Sequence, residues 1–121
     1  MRVNKIKTKL RADEMVLAVM LQFVHAGLAE FLGHLGFDTL VVDGEHGALS
    51  DNDVENFIRA CDLSGTVPLL RIPLNKPLMQ RYLDMGVYGF HVPHVESVEQ
   101  AREIVDAVKF RPQGNRGTGL T

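Results

Sequence analysis

Apolar runs and helically spaced apolar residues alternate along this chain. Near-continuous apolar runs are typical of strands buried on both faces of a sheet. Three such runs predict strands at residues 37–43, 67–72 and 87–92, after a shorter apolar run at 16–21. The glycines that follow the intervening helical patterns mark expected helix ends, at Gly36, Gly65 and Gly86.

The segments between the predicted strands carry helix signals. Ser50 is a plausible N-cap, and Pro77 suits the first turn of the next helix. Ser97 and Gln100 have the spacing of a capping box. The apolar faces expected to point inward are Leu28/Phe31/Leu32/Leu35, Val54/Phe57/Ile58/Cys61, Leu78/Tyr82/Leu83 and Val98/Ala101/Ile104/Val105/Val108.

Four strand–helix units in succession predict an α/β fold with parallel strands covered by helices. In such a fold the carboxyl ends of the strands share one edge, where active sites are assembled. Polar residues gather at these ends. They are Asp43, Glu45 and His46 after the second strand, Arg71 near the end of the third, and His91 and His94 around the end of the fourth.

Composition narrows the function classes. The 121 residues suit one domain, and 13 basic against 15 acidic residues leave a net charge of −2. This balance gives no bulk attraction to nucleic acid or membranes. The basic stretch at residues 1–11 favours a solvated leading helix over a nucleic-acid arm. The single cysteine, Cys61, fits a cytoplasmic location, and the apolar run at 16–21 is too short to span a bilayer.

His46 and Arg71 are the leading candidates for chemistry. His46 follows a strand beside two carboxylates, which suits a general base, although a solvated loop histidine is the alternative. Arg71 lies within "PLLRIP" and needs a carboxylate partner, either an internal acid such as Asp43 or a substrate. Asp84 is either a solvated helix-end acid or the partner of a histidine.

The other candidates have plainer interpretations. His91 and His94 could share a metal, but Pro93 makes their segment extended, and packing of His91 at the strand end is favoured. Cys61 lies on an apolar stripe and is interpreted as a core residue rather than a nucleophile.

The segments "GFDTLVVDGEHG", "VPLLRIP" and "LDMGVYGFHVPHVESVEQAREIVDAVKFRPQGNRGTG", in this order, resemble the HpcH/HpaI aldolase family of class II pyruvate aldolases. The resemblance implies a (β/α)8 TIM barrel, of which residues 1–121 form the N-terminal half of one domain, about four β/α units, apparently truncated. It implies His46 as the base, Asp43 and Asp84 as acids that hold this histidine, and Arg71 as the pyruvate contact.

The implied reaction is the reversible aldol cleavage of a 2-keto-3-deoxy acid to pyruvate and an aldehyde, by a cytoplasmic homo-oligomer that binds neither nucleic acid nor membrane. The family's divalent metal (Mg, Mn or Co) is expected to take its ligands from the missing C-terminal half, and none from this chain. Two alternatives remain open. One is a non-catalytic half-barrel that acts as an assembly or regulatory module, and the other is a lyase similar to the citrate-lyase beta subunit.

Overall fold

The computed structural model describes residues 3–119. Within this range, strands and helices alternate after a leading helix. The elements are α1 (Lys5–Arg11), β1 (Ala18–Leu21), α2 (Ala26–His34), β2 (Thr39–Asp43), α3 (Asp51–Ser64), β3 (Val67–Arg71), α4 (Lys76–Met85), β4 (Gly89–His91) and α5 (Val98–Val108). The predicted α/β alternation is confirmed.

The four strands form one parallel sheet in the order β1-β2-β3-β4. Each strand therefore pairs with its neighbour in sequence, as in successive units of a β/α barrel. The register places Asp43 of β2 beside Arg71 of β3. The strand order and this register position the candidate site.

Local capping sets the ends of the helices. At the start of α3, the Ser50 hydroxyl accepts the Asp53 N–H and the Asp53 carboxylate accepts the Ser50 N–H, a complete capping box. Gly65 and Gly86 end α3 and α4 in the left-handed region, with φ of 75° and 119°. These predicted boundaries are confirmed.

The predicted capping box of α5 is only half correct. Ser97 accepts the N–H of Gln100, as expected for the N-cap. The Gln100 side chain, however, accepts the N–H of Glu96 at 2.8 Å instead of returning to Ser97. The start of α5 is thus capped by a serine without the reciprocal bond.

The core lies between the sheet and the helices that cover it. Leu40, Val42 and Leu70 of the sheet are fully buried against Phe57 and Cys61 of α3. Cys61 is the core residue that its position predicted, and burial raises the pKa of its thiol to about 11.

Two of the predicted inward faces are wrong in part. Phe31 and Leu35 in and after α2 are 59% and 61% exposed, and Val98 and Val105 of α5 are 60% and 47% exposed. These side chains share the helical spacing of core positions, but residues 3–119 supply no element that covers them. Ala101 of α5 is exposed in the same way.

The leading segment forms a helix, as predicted for a solvated element, and no residue of α1 is buried. Lys9 fastens α1 to the rest of the chain through an ion pair with Asp38 at 2.7 Å. Among residues 3–119, no helix combines the length and apolar character that crossing a bilayer requires.

Candidate active site

Asp43 closes β2 and organises the turn that follows. It is 1% exposed, and its Oδ1 accepts the N–H groups of Glu45 and His46 at 3.0 and 3.2 Å. A short carboxylate that accepts hydrogen bonds from the next residues is a common way to build a tight turn. The turn therefore holds Glu45 and His46 at the carboxyl edge of the sheet.

Arg71, at the end of β3, forms a two-pronged ion pair with Asp43. Its Nε donates to Oδ1 of Asp43 at 2.9 Å, and its Nη2 donates to Oδ2. The guanidinium, with these hydrogen bonds, holds the pKa of the Asp43 carboxyl well below its usual range, and the same bond raises the pKa of Arg71. Of the two partners considered for Arg71, the internal acid is confirmed.

This pairing leaves part of the guanidinium available. The Arg71 side chain is 21% exposed, and within the described residues none accepts a hydrogen bond from its Nη1. A guanidinium whose Nε and Nη2 are paired and whose Nη1 is still available can bind a planar carboxylate. Arg71 can thus serve both the internal acid and a ligand.

Two glycines allow the loop after β2 to lie close against the strand ends. The N–H of Gly44 donates to the carbonyl of Arg71 at 2.7 Å. A Cβ atom at Gly47 would lie 2.4 Å from the carbonyl oxygens of both Gln22 and Asp43. Only glycine permits so close an approach of backbone to backbone. The loop is therefore fixed across the ends of β1, β2 and β3.

His46 projects from this loop with its side chain 66% exposed. Its Nε2 lies 3.7 Å from Oε2 of Glu45. Asp43 contacts the backbone N–H of His46 and makes no contact with the imidazole. Asp43, which the resemblance implies as an acid that holds His46, contacts the backbone of this histidine in the structure, and its role toward the imidazole stays a prediction.

Glu45 is the residue whose importance sequence reasoning underestimated. Its side chain is 12% exposed, and its Oε2 lies 3.5 Å from Nε of Arg71 as well as near His46. Its Oε1 lies 2.8 Å from Nε2 of His94. The adjacency of Glu45 to His46 was visible in the chain, but the contact with His94, 49 positions away, was not.

The structure does not bring Asp84 to His46. Asp84 lies in the last turn of α4, before β4 begins, and so belongs to the amino edge of the parallel sheet. Its Oδ1 accepts a hydrogen bond from Nη2 of Arg116 at 2.6 Å. His46 follows β2 and lies at the carboxyl edge. Within one chain, the expected pairing of Asp84 with His46 is not formed.

The described residues do not fit a divalent metal by themselves. Between residues 3 and 119, no group of three or more histidine, cysteine or acidic side chains is arranged to hold an ion. The two carboxylates at the carboxyl edge of the sheet, Asp43 and Glu45, already pair with Arg71 and His94 respectively. His91 is exposed on β4 and His94 turns toward Glu45, so the two do not form a pair of ligands.

Known proteins share this arrangement of elements. Residues 2–121 match the family model for HpcH/HpaI aldolase/citrate lyase. A 2-dehydro-3,6-dideoxy-6-sulfogluconate aldolase from Pseudomonas putida is 40% identical over 89% of this chain and 43% of its own length. A 5-keto-4-deoxy-D-glucarate aldolase from Enterobacter sp. strain 638 is 38% identical over 98% of this chain and 46% of its own length.

The fold agrees with the sequence relationship. The crystal structure of an HpcH/HpaI aldolase from Desulfitobacterium hafniense DCB-2 superposes with a TM-score of 0.90 and 33% identity, over 95% of this chain and 45% of that one. The chain thus spans about half the length of the relatives it matches. With its parallel four-stranded sheet and a family match over nearly every residue, the chain belongs to the HpcH/HpaI aldolase/citrate lyase family.

Proposed function

We propose that this chain supplies the base and the cationic pyruvate-binding half of the active site of a carbon–carbon lyase. The reaction is the reversible aldol cleavage of a 2-keto-3-deoxy acid to pyruvate and an aldehyde. The observation that carries the proposal is the convergence of Arg71 and His46, from adjacent strand ends, on the carboxylate of Glu45. The two relatives named above as aldolases of keto-deoxy sugar acids support the substrate class.

Arg71 binds the keto acid in this proposal. Cleavage converts the 2-keto group and C3 into an enolate, so negative charge develops on the keto oxygen next to the carboxylate. A guanidinium already oriented by Asp43 stabilises this charge without having to reorganise. Asp43 is then a positioning residue, because it holds Arg71 and does not itself meet the substrate.

His46 moves the proton. In cleavage, Nε2 of the neutral imidazole takes the proton of the C4 hydroxyl, the C3–C4 bond breaks, and its electron pair forms the enolate of pyruvate. The aldehyde leaves, and the imidazolium returns the proton to C3. Atoms and charge balance, since one proton passes from the C4 oxygen to C3. The ring of His46 is 66% exposed and therefore open to a substrate, as a general base requires.

The remaining parts of the site are proposed to come from outside residues 3–119. The family resemblance implies a divalent metal, Mg, Mn or Co, which would polarise the keto group. The described residues lack a ligand set for this ion. A homo-oligomer is also proposed, on the resemblance alone.

The test is pyruvate release from a 2-keto-3-deoxy sugar acid by the complete protein, with a coupled assay that follows pyruvate. His46→Ala is expected to lower kcat by about 100-fold or more, the usual contribution of a general base. His34→Ala is the matched control, because His34 is an exposed histidine in the last turn of α2. Full activity in His46→Ala, or none in the unaltered protein, would contradict the proposal.

A further inference from the structure

Glu45 joins two imidazoles that come from different loops. His46 follows β2, and His94 lies in the segment between β4 and α5. One oxygen of the carboxylate, Oε1, is 2.8 Å from Nε2 of His94, and the other, Oε2, is 3.7 Å from Nε2 of His46. Because a carboxylate only accepts, Nε2 of His94 is the donor in this bond. The two rings therefore share a single anion.

The backbone holds His94 in place for this contact. His94 has φ of 57°, in the left-handed region that residues with a Cβ rarely adopt. Such a conformation persists only where surrounding contacts favour it, and these cases cluster at functional sites. The only hydrogen bond of the His94 side chain to another described residue is the one to Glu45. The ring is otherwise 78% exposed, so burial does not hold it.

Few charged groups face this carboxylate. Arg71 approaches Oε2 from β3, with Nε at 3.5 Å, and His46 and His94 approach from their loops. Asp43 faces Arg71 from β2 and offsets much of its charge. The contact of His94 with His46 therefore runs through Glu45, whose side chain is 12% exposed.

We propose that His94 is a positioning residue that fixes the Glu45 carboxylate and, through it, the orientation of the His46 imidazole. The inference rests on the proposed role of His46 as base. The hydrogen bond to Nε2 of His94 occupies Oε1 of Glu45 and leaves Oε2 on the side of His46. Loss of this bond is expected to release the carboxylate and, with it, the preferred orientation of the His46 ring.

The experiment measures kcat and KM separately in the complete protein, with four variants. His94→Gln keeps a hydrogen-bond donor to Glu45 but cannot become charged, and His94→Leu removes both donor and charge. Glu45→Gln removes the shared anion. His91→Gln is the matched control, because His91 is an exposed histidine at the end of β4 with no ion pair to Glu45 among residues 3–119.

In His94→Leu, which removes the donor to Glu45, kcat is expected to fall several-fold while KM changes little. In His94→Gln, which keeps a donor, kcat is expected to be restored. Glu45→Gln leaves one acceptor oxygen for two rings and should also lower kcat, whereas His91→Gln should leave it unchanged. An unchanged kcat in His94→Leu, or an equal loss in His91→Gln, would overturn the inference.

A second readout separates this inference from the proposed reaction. The ring C–H resonances of His46, recorded by NMR at one pH, should shift in His94→Leu and return toward their unaltered positions in His94→Gln. This measurement does not depend on turnover. If the protein releases no pyruvate and the shift is still seen, the proposed function fails and the coupling stands. If turnover is normal and the His46 resonances are the same with and without His94, the coupling fails alone.

Discussion

Asp43 and Arg71 illustrate how one residue pair can serve both fold and chemistry. Asp43 is buried, and its two oxygens accept from Arg71 and from the loop that carries His46. The same carboxylate therefore fixes the guanidinium and the turn. Because both depend on Asp43, loss of its charge should displace His46 and Arg71 together.

The core thiol gives a direct test at the scale of one residue. Cys61 is fully buried, and burial raises its pKa to about 11, so it reacts as a neutral, shielded thiol. We expect alkylation of the native protein at pH 8 to proceed only through unfolding, with a rate that rises with urea in step with the unfolded fraction. Rapid labelling by iodoacetamide in the absence of urea would contradict the burial of Cys61 in the core.

At the scale of elements, the loop after β2 is fixed by contacts that a side chain would break. A methyl group at Gly47 would lie 2.4 Å from two carbonyl oxygens that belong to backbone and cannot turn aside. Gly47→Ala should lower the free energy of unfolding by about 1–3 kcal/mol, the usual cost of overpacking. It should also lower kcat, because the loop carries His46.

Gly119→Ala is the matched control for this prediction, since nothing lies within 4 Å of the position of its added Cβ. Urea unfolding followed by circular dichroism gives the free energy for both variants. Equal stabilities for Gly47→Ala and the unaltered protein would show that the loop is free to lift from the strand ends.

The elements could be predicted largely from local signals. Ser50, Gly65 and Gly86 start or stop helices through bonds to residues a few positions away, so the sequence reveals them. The inward faces could not be predicted as well. Val98 and Val105 have core spacing, but whether a partner covers them depends on elements distant in the chain.

The candidate site could likewise be predicted from the sequence only in part. His46 and Arg71 follow strands, and that order alone predicts a shared edge. The contact of Glu45 with His94 depends on the β3–β4 pairing and on the positive φ of His94, which no local pattern reveals. Asp84 precedes its strand and so lies at the opposite edge from His46 within one chain, and its role toward this histidine stays a prediction.

Taken as a whole, the molecule depends on ionised carboxylates that are engaged in the folded state. Hydrogen bonds hold the pKa of Asp43, Asp38 and Asp53 below 3.8, chiefly from Arg71, Lys9 and Ser50 respectively. The unfolded chain therefore binds protons more tightly at these groups. Their contribution to stability is complete above the unfolded value and is lost as pH falls below about 3.8.

The corresponding measurement is the urea midpoint of unfolding between pH 5 and pH 2.5. The unaltered protein should lose stability steeply below pH 4, and Asp38→Asn, which removes one of these carboxyls, should show a shallower loss. Asp13→Asn is the control, because Asp13 is an exposed residue in the turn after α1. Parallel curves for the unaltered protein and Asp38→Asn would contradict the role of the Lys9–Asp38 pair.

The chain as a whole spans about half the length of its relatives, and the sheet of residues 3–119 has open edges at β1 and β4. Unpaired strand edges and exposed apolar helix faces favour association with further protein. The expectation of self-association made from the sequence remains a prediction. Sedimentation of the 121-residue polypeptide would test it.

The central claim is that Arg71 and His46 together generate the enolate of pyruvate, and one exchange reaction tests it without any aldehyde. The complete protein is incubated with pyruvate in D₂O, and loss of the methyl proton signal is followed by NMR. We expect exchange by the unaltered protein and exchange at least about tenfold slower in Arg71→Lys, because lysine cannot make the two-pronged contact of arginine. The rate should be unchanged in Arg59→Lys, since Arg59 is an exposed arginine of α3. Exchange by Arg71→Lys at the unaltered rate would contradict the claim.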